Sequence, residues 1–212
     1  LTGWKRLASV QVLVSSAIIS RTLTKYAEKP YRKNTTIMNE QIWDTTFREL
    51  FERCAKLHRA GDKRGEKWFA DSDKDFLACI GHTTQEFFDF VDDHCRYGAE
   101  GPTLETALLV AAVRRDYFKV VMGGQFSGKI IPPAELPPKS EAVDGISWLP
   151  RLIVKARAKL RGEMDSDTMY GCGGDRAFFV QHKIHPADFL RVTWAAGDDD
   201  RKIINFVKSG EM

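Results

Sequence analysis

The sequence predicts a mainly α-helical protein in which two diverged small helical units, an internal duplication, pack into one globule and are joined by a Pro/Gly-rich loop. Three observations predict it. Apolar residues recur at helical spacing from Trp43 to Val207, and caps and glycines punctuate the stripes. Residues 73–91 also match residues 175–193 without a gap at an offset of 102. The chain divides accordingly into a basic N-terminal segment, 1–37, an N-terminal unit, 38–122, a linker, 123–146, and a C-terminal unit, 147–212.

In the first segment, Lys5 and Arg6 precede an apolar run that Ser9, Gln11, Ser15 and Ser16 interrupt. It is too short and too polar to span a bilayer. Seven Lys/Arg stand there against Glu28 alone, a net +6, so with the whole chain at +3 the remainder carries −3. The segment reads as disordered, as a targeting peptide, or as residues ahead of a start at Met38. It is left out of the fold.

Trp43, Phe47, Leu50, Phe51, Cys54 and Leu57 form the first helical stripe, closed by Gly61. Trp68 and Phe69 lead into a short helix carrying Phe76, Leu77 and Ile80, which Gly81 ends. Thr83 and Glu86 spell a capping box for a third helix burying Phe87, Phe88, Val91, His94 and Cys95. A fourth, from about Thr103 to Met122, is apolar nearly all round and reads as the central one, with Arg114, Arg115 and Asp116 on its polar face. From Gly123 to Ile146 the character changes: Gly123, Gly124 and Gly128 are followed by Pro132, Pro133, Pro137 and Pro138, a proline density that forbids a regular element. Leu149, Leu152, Ile153, Ala156 and Leu160 give the next stripe, stopped by Gly162, with Arg151, Lys155, Lys159 and Arg161 on its other face. A short helix with Phe178 and Phe179 follows. His185 is placed as an N-cap before Pro186, with Asp188 where a box acid would sit. The last helix begins after Asp198 and buries Ile203, Ile204, Phe206 and Val207.

Apolar residues make up 43% of the 212 and charged ones 29%, as in an ordinary globular protein. The slightly acidic body argues against nucleic acid as a partner, and no apolar stretch spans a membrane. Cys54, Cys79 and Cys95 fall among apolar residues and read as buried, reduced thiols, which favours a cytoplasmic location.

The repeat tells where special chemistry belongs. At the offset of 102, Asp73 falls on Asp175, Phe76 on Phe178, Leu77 on Phe179 and Phe87 on Phe189. With a one-residue gap, Ala55, Lys56 and Leu57 fall on Ala158, Lys159 and Leu160. The copies differ where the second has Tyr170, Cys172, Gly174 and Arg176 against Trp68, Ala70, Ser72 and Lys74 in the first. A site therefore belongs to the second copy.

The run Leu149-Pro-Arg-Leu-Ile-x-Lys-x-Arg-Ala-Lys-Leu, then Tyr170-x-Cys172-x-x-Asp175, the Phe178-Phe179 pair and Ile184-x-Pro-x-x-Phe189-Leu190 resemble an uncharacterised bacterial family, domain-of-unknown-function family 5069. The resemblance covers about 146–207, and the N-terminal half looks like an extension carried by longer members. Many members have Pro-Leu where Gly173 and Gly174 stand, so the loop departs from the family pattern. The resemblance implies a small cytoplasmic bacterial protein and no particular activity.

Glycines before a helix let backbone N–H groups converge on an anion. Gly173, Gly174, Asp175, Tyr170 and Arg176, with Arg151 and Lys155 as counter-charge, are the candidate ligand-binding residues. A binding or interaction protein, with a small anionic ligand or a protein as partner, is the leading reading. The alternative is an enzyme using Cys172 as nucleophile or redox thiol, with His182 or His185 as base. Those three also make a sparse zinc set, but no second thiol or carboxylate stands in register, so no metal and no cofactor is assigned. The helix, turn and helix from Asp175 to Trp194 resembles a DNA-reading motif, but its second helix offers only Arg191 as a basic residue.

Overall fold

The apolar stripes become helices, and their ends fall on residues able to satisfy the backbone groups a helix leaves open. The computed structural model describes residues 42–62 and 64–210. The basic segment 1–37 and the start at Met38 lie outside the described residues.

Helix α1 (Trp43–Arg59) buries Phe47, Leu50, Phe51, Cys54 and His58, and Gly61 follows it at φ +89°. After a 3-10 turn at Gly65–Lys67, α2 (Asp71–Cys79) begins with Asp73 accepting the Ala70 N–H at 2.7 Å. Gly81, at φ +75°, lies against the Phe118 ring, where a Cβ would collide. Helix α3 (Thr84–Tyr97) opens on a reciprocal box: Glu86 N–H donates to Thr83 Oγ1 and Thr83 N–H to Glu86 Oε2, each at 3.1 Å. Helix α4 (Leu104–Val120) is capped by Thr103, which accepts from Thr106 N–H at 3.0 Å.

The proline-rich stretch contains a 3-10 turn at Pro133–Glu135. Past its last proline, β1 (Ala142–Val143) and β2 (Ile146–Ser147) pair antiparallel, Ala142 with Ser147 and Val143 with Ile146. Asp144 and Gly145 turn this hairpin at φ +50° and +80°, the signs a two-residue type I′ turn requires. The sequence reading had no regular element before Ile146, because proline density was taken over the whole linker. The Asp-Gly signal at its proline-free end was the part that counted.

Helices α5 (Leu149–Arg161), α6 (Gly173–His182), α7 (Pro186–Ala196) and α8 (Asp200–Ser209) complete the described chain. Helix α1 packs on α3 and α5 packs on α7. Helix α4 contacts α1, α5 and α7, and α8 covers α7 and α5. The described residues form one compact unit. Among the described residues no helix is long and apolar enough to cross a membrane.

Several residues sit differently from the sequence reading. Cys79 is exposed, because Ile80 takes the buried position at the end of α2; Cys95 is half-buried. In α3 the inward face is Phe87, Phe90 and Val91, with Phe88 and His94 at its margin. Phe206 of α8 is likewise only half-buried. Arg114, expected on a polar face, has no exposed surface: α4 is so enclosed that its cation lies over the Phe118 ring at 5.2 Å. Asp188 closes no box; its carboxylate pairs with Arg191 at 2.6 Å instead. His185 does cap α7, its Nδ1 accepting from Ala187 N–H at 3.2 Å.

Candidate functional site

The chemistry between α5 and α6 is organised by a buried carboxylate. Asp175, the third residue of α6, has no exposed surface. Its Oδ2 accepts from Lys155 Nζ at 2.5 Å and from Gly171 N–H at 2.8 Å, and its Oδ1 accepts from Trp148 Nε1 at 2.9 Å. Burying an ion is costly unless it is paired and hydrogen-bonded, and three converging donors meet that condition. Trp148 reaches the carboxylate because it enters α5 at φ +70°, and Gly174 accepts the indole because a Cβ there would strike the ring. Lys155, 2% exposed, also donates to Cys172 Sγ at 3.3 Å. Cys172 is the N-cap residue of α6 and is partly exposed.

A cleft of about 460 Å³ opens beside this cluster, lined among others by Lys139, Arg151, Lys155, Cys172, Gly173 and Gly174. Arg151 donates to the Pro137 carbonyl at 2.9 Å. The cleft also has acidic lining. Asp92 is paired with His58 and with Arg96, each at 2.9 Å, and Asp93 with Arg176 at 2.5 Å. Asp89 is bonded by Gln85 at 2.7 Å, and burial raises its carboxyl to about 6. It therefore stays mostly ionised at pH 7 and loses its charge only as pH falls through about 6.

The other candidate residues lie elsewhere or serve the scaffold. Tyr170 is 2% exposed and donates to the Pro186 carbonyl at 2.7 Å; burial, with Asp175 nearby, pushes its hydroxyl well above the usual range. Arg176 ties α6 to α3 through Asp93, donates to the Gly171 carbonyl at 2.9 Å and lies 5.0 Å over the Tyr97 ring. Tyr170, Arg176 and His185 line a separate, mostly apolar groove of about 1090 Å³. His182 stacks on Phe178, centroids 4.3 Å apart, and lines a third cavity between α6 and α8. Neither histidine lines the Cys172 cleft. The reason is arithmetic: Cys172 and His182 stand at opposite ends of α6, about 15 Å apart at helical rise.

Sequence reasoning missed a second buried pair. Lys159, expected on the polar face of its helix, is 2% exposed and donates to Glu86 Oε1 at 2.8 Å, joining α5 to α3. Burial works to raise the Glu86 carboxyl, but Lys159, His82 and the Thr83 N–H together bring it down to about 2. His82, 3.9 Å from Glu86, is driven down to about 3 by burial and by Lys159 against the pull of that carboxylate. The available signal was slight: Lys155 and Lys159 stand four residues apart between apolar neighbours, Val154, Ala156, Ala158 and Leu160. Among the described residues no group of three or more His, Cys, Asp or Glu is arranged to hold a metal.

Fold and site together define a mostly helical protein with a charged cleft lined from α3, α5 and α6 and no histidine among the groups lining it. Over residues 136–211 the chain matches the family model described as a domain of unknown function, DUF5069. That stretch contains every cleft residue contributed by α5 and α6. Comparisons with curated proteins and with solved structures each found no match.

Proposed function

We propose that the protein is a binding protein whose α5–α6 cleft takes a small ligand by an anionic group, a carboxylate or a phosphate. One observation carries the reading: Arg151 and the first-turn glycines of α6 line the same cleft, and the Arg151 guanidinium is bonded to a carbonyl, not a carboxylate. First-turn N–H groups have no intrahelical acceptor, and the helix dipole favours negative charge there. Lys139 adds a second cation that sequence reasoning did not select. Lys155 and Asp175 hold the cleft's wall instead of touching the ligand.

The test is a thermal-shift titration with inorganic phosphate and with a panel of phosphorylated and carboxylated metabolites. Saturable stabilisation of the wild type, lost in Arg151→Ala, is expected; a wild type that responds to none of them removes the cleft as an anion site. The four unbridged cysteines support a reducing, cytoplasmic setting for this role.

The reading extends to origin: residues 38–122 and 147–212 are two copies of one helical unit. Its support is a single register. Helices α2 and α6 start at 71 and 173, and α3 and α7 at 84 and 186, both 102 apart. Phe47, Leu50, Phe51, Cys54 and His58 are buried, as are Leu149, Leu152, Ile153, Ala156 and Leu160 at the same offset. Arg53 pairs with Asp73 as Lys155 pairs with Asp175. Gly81 and Lys183 both end their helices with positive φ, +75° and +55°. The one-residue gap that set Ala55 on Ala158 is unnecessary, since the buried stripes of α1 and α5 superpose without it.

A catalytic reading keeps one favourable observation, the Lys155 ammonium at Cys172 Sγ. It would use Lys155 in place of His182 or His185. Alkylation by iodoacetamide discriminates: a catalytic Cys172 outruns the more exposed Cys79, whereas a slower Cys172 rejects the reading.

A further inference from the structure

Of the four cysteines, Cys172 is the one whose sulfur meets a buried amine. Cys54 is enclosed in the core, and burial pushes its thiol up to about 11. Cys79 is exposed at the end of α2. Cys172 is partly exposed on the open cleft, so a small oxidant can reach Sγ, while Lys155 Nζ stands 3.3 Å away on a side chain only 2% exposed. Asp175 fixes that nitrogen from the other side at 2.5 Å. Reactants held at contact distance and prevented from turning away react far faster than free ones.

The matching positions of the N-terminal unit sharpen the point. There the base is Arg53, paired with Asp73, and position 70 is alanine. A guanidinium performs the structural pairing equally well and is a poor nucleophile; an ammonium is one proton from being a good one. Lysine and cysteine thus occur together only in the unit that has the cleft.

We propose that Lys155 and Cys172 form a reversible covalent cross-link when the protein meets hydrogen peroxide. The thiol is first oxidised: the peroxide O–O bond breaks, one oxygen joins Sγ as a sulfenic acid, and the other leaves as water. The Lys155 ammonium gives a proton to Asp175 Oδ2, the acceptor already in contact. Its nitrogen lone pair then attacks Sγ; the N–S bond forms, the S–O bond breaks, and the departing hydroxide takes a proton from nitrogen and leaves as water. One thiol, one amine and one peroxide become one sulfenamide and two waters. A thiol reductant opens the N–S bond and restores both side chains. The link removes the cation facing Asp175 and spares Cys172 from irreversible oxidation.

The experiment treats the full chain with graded hydrogen peroxide, digests it and maps the peptides by mass. The expected product joins the Lys155 and Cys172 peptides, about 2 Da lighter than their sum. It disappears on dithiothreitol treatment and is absent from Cys172→Ser. In Lys155→Arg the linked species falls by roughly tenfold or more, and Cys172 proceeds to sulfinic acid at peroxide levels the wild type withstands. Should Lys155→Arg not fold, the wild-type map decides alone. Cys172 recovered as sulfinic or sulfonic acid, or in a disulfide with another cysteine, with no Lys155-linked peptide at any peroxide level, overturns the proposal.

Discussion

Asp73 and Asp175 hold the same place in two helices, and their surroundings differ in one respect. Each is the third residue of a short helix, reaches back to a backbone N–H, and pairs with a base on the preceding long helix. The Arg53–Asp73 pair is wet, its side chains 47% and 19% exposed, while the Lys155–Asp175 pair is dry, at 2% and 0%. What dries it is Trp148, whose indole bonds Asp175 and covers Gly174. At the sequence offset of 102 Trp148 falls on Thr46, and Ser72 is exposed where Gly174 is covered. One aromatic residue at a helix entry thus turns a surface cap into a buried charge cluster beside a cleft.

The sharpest way to break the comparison is to remove each acid. Asp175→Asn leaves the Lys155 ammonium buried with no counter-charge, which costs about 3–5 kcal/mol. Asp73→Asn weakens an exposed pair and one cap bond, together about 1 kcal/mol. Urea unfolding of the two variants checks this. Equal losses would mean that the dry pair carries no more of the stability than the wet one.

Most of the fold was legible because caps and stripes agreed: Thr83, Thr103, His185 and Gly162 mark helix ends in the structure as they do in the sequence. Burial of charge was much less legible. Arg151, Lys155 and Lys159 are spaced identically along α5, yet Arg151 bonds a carbonyl while the two lysines are enclosed with carboxylates from α6 and α3. Their partners lie 20 and 73 residues away, and periodicity within one helix holds no information about those distances. Cys172 and the histidines were grouped by proximity in sequence, and the length of α6 sets them apart.

Acid sensitivity should separate the two regions next. His82 is buried, and at the sequence offset of 102 it falls on Ile184. Its pKa in the fold is about 3 against 6.5 for the free group, so the unfolded chain binds a proton that the fold refuses. Stability present above pH 6.5 is therefore lost as pH falls from about 6.5 toward 3. Asp89 works the other way: raised from 3.8 to about 6, it gives stability back as pH falls through 6. Glu86, lowered from 4.5 to about 2, adds a loss only below 4.5. Between pH 6.5 and 5 the His82 effect exceeds that of Asp89, because it begins at higher pH and its shift is larger. The melting temperature should fall over that interval in the wild type and stay level or rise in His82→Gln. A wild-type melting temperature unchanged from pH 7 to 5 would place no uncompensated neutral histidine in the core.

The smallest contrast concerns the two residues that the indole distinguishes. A methyl group added at Gly174 meets the ring of Trp148, which cannot retreat without giving up its bond to Asp175, so Gly174→Ala should cost about 1–3 kcal/mol as overpacking does. Ser72 projects into solvent in the first turn of α2, and Ser72→Ala should change stability by less than about 0.5 kcal/mol. Unfolding midpoints measure both, and fluorescence of Trp148 reports whether the indole has moved. In Trp148→Phe the ring is smaller and has no donor, so Gly174→Ala should become cheaper in that background. If its cost is the same with and without the indole, the glycine is required for some reason other than tryptophan packing, and Trp148 is not what separates the dry unit from the wet one.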